Sequence, residues 1–106
     1  MRARPFAVNA IDDRCAERLK VLADRTRLDV LRRLLVRPHR VGELADELGV
    51  EQSLLSHHLR TLREAGLVRG EREGKSVVYA LDPEVVGQVS GPVIELGCCR
   101  IAFEEG

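Results

Sequence analysis

The stretch VGELADELGVEQSLLSHHLRTLREAGLV, residues 41–68, constrains the fold of this chain more than any other. Leu44, Ala45 and Leu48 line one face of a short helix, and Gly49 is placed to cap its C-terminus. Gly49-Val50 then leads directly into a second, longer amphipathic helix that ends at Gly66. After Gly66 the apolar period changes from that of a helix to that of a strand. LVRGEREGKSVVYAL predicts two short strands around Glu73-Gly74, with Val77, Tyr79 and Leu81 alternating on the second.

Two helices joined by a tight glycine turn and followed by a hairpin describe a winged helix-turn-helix. The preceding segments fit it. IDDRCAERLKVLA places Ile11, Cys15, Leu19 and Leu22 on one helical stripe, with Asp12 and Asp13 near its start. DRTRLDVLRRLLVRP repeats the pattern through Leu28, Leu31, Leu34 and Leu35, with Asp24 as N-cap and Pro38 as the stop. The last region, DPEVVGQVSGPVIELGCCRIAF, is expected to be helical through Val86, Val89, Val93 and Leu96, broken or kinked at Gly91-Pro92. The fold class is therefore mainly α with a small β-hairpin. Residues 1–106 read as one domain, without internal repeat or dividing linker.

The core must be built from Leu, Val, Ile and Ala, because Phe6, Tyr79 and Phe103 are the only aromatic residues. So few large side chains in 106 residues favour stabilisation by dimerisation. Arg2 and Arg4 have no apolar run behind them, and no stretch reaches the roughly 20 apolar residues of a membrane span. A cytoplasmic location is expected, where thiols normally stay unpaired; with three cysteines, a disulfide framework is the poorer reading.

Net charge is zero but unevenly spread. Residues 1–40 carry 11 Lys/Arg against 5 Asp/Glu, segment 52–81 carries 5 against 3, and 82–106 carries 1 against 5. A basic surface for phosphate contact is compatible with that total. At 100° per residue, Leu54, Leu55, His58, Leu59 and Leu62 fall on an inward arc of the second helix. Ser53, Ser56, His57, Arg60 and Glu64 fall opposite. Hydroxyls, an imidazole and a guanidinium suit base edges in the major groove, and Gln52 adds a base or phosphate contact near the helix start. Arg69, Arg72, Lys75 and Ser76 on the hairpin would reach phosphates as a wing.

LKVLADRTRLDVLRRLL, VGELADELGVEQSLLSHHLRTLREAGLV and REGKSVVYAL together resemble the ArsR/SmtB family of bacterial metal-responsive repressors, over roughly residues 15–82. The resemblance implies a homodimer held by the first and last helices and bound to an imperfect inverted repeat of operator DNA. It also implies that metal binding releases the DNA. Ser53, Ser56 and His57 match the family's recognition-helix positions. Two common metal sites are missing. The helix at Val41-Gly42-Glu43-Leu44-Ala45 lacks the Cys-x-Cys of many arsenic, lead and cadmium sensors. The last region has Asp82 but none of the histidines used by the zinc sensors.

Cys15, Cys98 and Cys99 remain as soft ligands, and soft ligands select soft ions. Three thiolates suit As(III) or Sb(III), whereas zinc usually takes four ligands. The adjacent pair Cys98-Cys99 also resembles an arsenic-responsive variant of the family with vicinal cysteines at the end of the last helix. Cadmium and lead are further candidates. Cys15 has a second reading as a buried core thiol.

Two alternatives to metal sensing remain. One is a repressor switched by oxidation or persulfidation of these thiols, with Arg100 adjacent. The other is a winged-helix protein-interaction module. An enzyme is not expected: no base is positioned beside a cysteine, and His39 reads as a solvated loop residue.

Overall fold

The computed structural model describes residues 13–104. Helix α1 (Asp13–Leu22) is followed by α2 (Arg25–Val36), strand β1 (His39–Arg40), α3 (Val41–Leu48) and α4 (Gln52–Glu64). The hairpin β2 (Val68–Glu73) and β3 (Ser76–Leu81) comes next. A 3-10 turn at Pro83–Val85 leads to β4 (Val86–Gln88), β5 (Pro92–Glu95) and β6 (Arg100–Ile101).

Local signals set the boundaries of the helix-turn-helix. Asp24 adopts an extended conformation and accepts the Arg27 backbone N–H at 3.0 Å, so α2 starts on a side-chain cap. The same helix stops before Pro38. Gly49 closes α3 at φ 65°, a conformation that favours glycine, and lets the chain turn at once into α4. Leu44 and Ala45 of α3 meet Val30, Leu31 and Leu34 of α2 and Leu55, Leu59 and Leu62 of α4 in one buried core. The wing is an antiparallel pair with a two-residue turn at Gly74-Lys75 between Glu73 and Ser76. Strand β1 joins its other side, in the order β1-β3-β2, with His39 opposite Tyr79.

Four expectations are corrected. The last region is a three-stranded antiparallel sheet, β4-β5-β6, rather than a helix. Val85, Val86, Val89, Val93 and Ile94 are β-branched and favour pleated structure. Ser90 and Gly91, at φ 54° and 133°, reverse the chain so that Gln88 faces Pro92. Ile94 enters the main core from this sheet, and Val85 and Leu96 from the residues that flank its strands, whereas Val86 and Val89 stay half exposed.

In α1, Leu19 is 40% exposed. The inward side runs instead through Cys15, Arg18 and Leu22, and the Arg18 guanidinium donates to the carbonyls of Ala65 and Leu96 at 3.2 and 3.4 Å. The long stem of an arginine can cover apolar surface while its head bonds backbone. Ile11, the first member of the expected stripe, lies outside the described residues, as does Phe6.

In α4, Leu54 is 50% exposed rather than inward. His39 is buried, not solvated: its Nδ1 lies 2.9 Å from the Arg37 carbonyl and its Nε2 3.3 Å from Glu47 Oε1. The short β1 pairing carries it under α3.

Candidate nucleic-acid interface and thiol site

Helix α4 divides cleanly apart from Leu54. Leu55, His58, Leu59 and Leu62 are buried; Gln52, Ser53, Ser56, His57 and Arg60 are exposed along the outer face. Ser53 Oγ donates to Glu51 Oε1 at 2.5 Å, and Arg60 Nε donates to Glu64 Oε2 at 3.2 Å. These are exposed contacts that a nucleic acid can displace at small cost, because solvent-exposed pairs contribute little.

Arg69, Arg72 and Lys75 are all exposed on the wing, with Arg69 Nε 3.5 Å from Asp82 Oδ2. Arg40, Gln52, Lys75 and Ser76 line one cleft of about 490 Å³ where the starts of α3 and α4 meet the wing tip. Arg40 was missed in the sequence because only the β1–β3 pairing brings it to the hairpin, where it donates to Glu73 Oε1 at 2.6 Å.

Buried beneath this face, His58 Nδ1 lies 3.1 Å from Arg27 Nη1. A guanidinium only donates, so Nδ1 accepts and, in the neutral ring, the proton sits on Nε2. Arg27 Nε also donates to the Val21 carbonyl at 2.6 Å. Arg27 therefore ties the end of α1 to the middle of α4. Asp24 lies beside it, and its carboxyl is held below the usual range, first by the Arg27 backbone N–H it accepts.

The three cysteines come together. Cys15 is buried on α1, and Cys98 and Cys99 occupy the turn between β5 and β6, where Gly97 has φ 94° and the Leu96 N–H donates to the Cys99 carbonyl at 2.9 Å. The three Sγ atoms all lie within 4.8 Å of one another. Cys15 and Cys98 form a disulfide with Cα atoms 6.2 Å apart, contrary to the expectation of unpaired thiols. The turn aims Cys98 at Cys15 on α1. Cys99 is free and half-buried, with its Sγ 3.8 Å from that of Cys98. Reduction of the disulfide would yield three neighbouring thiols, a donor set suited to a soft three-coordinate ion.

His39, Glu43 and Glu47 form a second cluster of ligand-type atoms within 4.8 Å. Its carboxylates already hold cations: Arg33 at 2.9 Å from Glu47, and Arg37 at 2.7 Å from Glu43 and 3.6 Å from Glu47. The Arg37 hydrogen bond is the main reason that the Glu43 carboxyl is held low. This cluster clasps α2, β1 and α3 together.

No helix among the described residues is long and apolar enough to cross a membrane. Residues 24–69 match the family described as "Bacterial regulatory protein, arsR family". The transcriptional regulator NmtR of Mycobacterium tuberculosis is 46% identical over 74 residues, 70% of this chain and 62% of its own length. The chain thus spans about three-fifths of that curated relative. Reduced HlyU from Vibrio cholerae matches in structure with TM-score 0.63 and 40% identity, over 65% of this chain and 73% of that one. A homodimeric winged helix-turn-helix DNA-binding domain from Mycobacterium bovis, described as a possible ArsR-family regulator, matches with TM-score 0.66 and 29% identity, over 78% of this chain and 75% of that one. With its helix-turn-helix, its wing and these likenesses, the chain belongs to the arsR family of bacterial regulatory proteins, the ArsR/SmtB-type transcriptional regulators.

Proposed function

We propose that this protein is a cytoplasmic, homodimeric transcriptional repressor, not an enzyme, that leaves its operator when As(III) or Sb(III) binds Cys15, Cys98 and Cys99. The observation that carries the reading is the meeting of three sulfurs, from α1 and from the β5–β6 turn, within 4.8 Å. Ser53, Ser56, His57, Arg60 and Gln52 meet the major groove of an imperfect inverted repeat, one half-site per subunit. Arg69, Arg72 and Lys75, joined by Arg40, hold the phosphates.

The ion acts on DNA by favouring one arrangement of α1, and the Val21–Arg27–His58 bonds supply a path from α1 to α4. Release requires a coupling of roughly 1–3 kcal/mol between the two sites. The test is fluorescence anisotropy with a labelled promoter fragment under reducing conditions at fixed salt. Arsenite is expected to release wild type and to leave a Cys98→Ser/Cys99→Ser variant bound. Tight binding that arsenite never disturbs removes the metal reading.

A second reading is favoured by one observation, the Cys15–Cys98 disulfide. In it the same repressor answers oxidation or persulfides: the oxidant takes two electrons from the Cys15 and Cys98 thiols as their disulfide forms, and a thiol reductant returns them. DNA affinity that differs between oxidised and reduced protein, with no response to arsenite, would select it. DNA binding that fails to weaken as salt rises would instead point to a protein-interaction module.

A further inference from the structure

Leucine 54 is the one large apolar side chain exposed on α4, among five such residues exposed in the described chain. It occupies the first turn of the helix, between Ser53 and the exposed Ser56-His57 pair. Half of its surface is open to water, and no part of the buried core includes it. In a helix-turn-helix, the N-terminal residues of the second helix are those that approach base edges. An aliphatic side chain there has no hydrogen bond to offer. What it can recognise is the C5-methyl of thymine, the only apolar group displayed in the major groove.

We infer that Leu54 is a specificity-determining residue that packs on the 5-methyl group of one thymine in each operator half-site. The inference rests on the DNA-binding reading above and adds to the hydroxyl, imidazole and guanidinium contacts a contact of a different kind. Its neighbours can each satisfy more than one base. A methyl contact distinguishes thymine from cytosine at the same position, which makes Leu54 a sharper filter than the serines beside it.

The test separates the methyl from everything else. Binding sites are selected from random duplexes with reduced wild-type protein. Each thymine of the preferred site is then replaced by deoxyuridine, which lacks only the methyl. At one thymine per half-site, deoxyuridine is expected to weaken wild type about fourfold, the effect of one methyl-sized apolar contact. Leu54→Ala, a surface change, should bind thymine and deoxyuridine equally at that position, and Leu54→Met should keep part of the difference. Wild type that is indifferent to every replacement overturns the inference. So does a preferred half-site without thymine, or a Leu54→Ala variant as sensitive as wild type at every position. Failure of wild type to bind any duplex in a salt-dependent way overturns the DNA reading first, and this one with it.

Discussion

Reduction of the Cys15–Cys98 bond should cost this protein much of its stability. The two residues are 83 positions apart, so the bond closes most of the described chain into one loop. In the chain-entropy model a loop of that length restricts the unfolded state by about 4.5 kcal/mol at 25 °C. Removal of a native disulfide from a small domain typically costs about 2–5 kcal/mol, so the expected loss is about 3–4.5 kcal/mol. For a domain near this size each kcal/mol moves the thermal midpoint by roughly 4–8 °C, and the reduced protein should melt at least about 12 °C lower.

Urea titration with and without reductant gives the measurement, with Cys15→Ser/Cys98→Ser as a control that reductant should not affect. Magnitude separates the possible pairings, because a Cys98–Cys99 bond would close almost no loop and bring no comparable gain. Arsenite added to the reduced protein at a hundredfold excess over its dissociation constant should restore about 2.7 kcal/mol, since it binds only where the three sulfurs are gathered. Equal midpoints for oxidised and reduced wild type would refute the Cys15–Cys98 linkage.

Three further outcomes follow from the helix junction. Asp24→Ala removes the cap of α2 and should cost about 1 kcal/mol at pH 7 by urea titration. Because the folded Asp24 carboxyl sits below its unfolded value near 3.9, its stabilisation is present above that pH and is lost as pH falls through the folded value. Asp24→Asn, which can still cap, should lose that acid-side decline, and an unchanged acid limb would contradict it. Arg27→Met keeps an apolar stem but deletes the bonds to Val21 and His58. DNA affinity by anisotropy should stay within about threefold while arsenite-driven release weakens about tenfold, and undiminished release would rule out this route.

Between Asp24 and Leu81 the chain was legible because local and tertiary signals agree. The cap at Asp24, the stop before Pro38, the left-handed Gly49 and the hairpin turn each act within a few residues of where they are read. The wheel of α4 misplaced only Leu54, whose position borders the outer arc near the helix end, beyond the reach of the core. The last quarter, from residue 82 on, reads as a helix because Val86, Val89, Val93 and Leu96 happen to follow helical spacing. Strands of three, four and two residues are too short for alternation to compete with that pattern, and their pairing together with the burial of Val93 and Ile94 stabilises them. The burial of His39 and the place of Arg40 are not legible for a related reason: a two-residue strand is defined by a partner some forty positions away.

A sheet in place of a C-terminal helix changes what the cysteines can do. On a helix end, Cys98 and Cys99 would project from an element expected to pack against a second subunit, and either subunit could supply the third thiol. In the β5–β6 turn they meet Cys15 of the same chain, beside the Arg18 guanidinium that bonds both Ala65, just after α4, and Leu96, just before the turn. In the proposed function the sulfurs then form an intrachain brace between α1 and the C-terminal sheet. A disulfide and a three-coordinate ion would be alternative fillings of that brace, and each would fix α1. Its Val21 carbonyl hangs on Arg27, and Arg27 holds His58 on the buried side of the helix whose outer face carries Ser56 and His57. In that reading the signal would cross from α1 to α4 through one guanidinium, and the chemistry at the sulfurs would be read out by the position of α1 relative to α4.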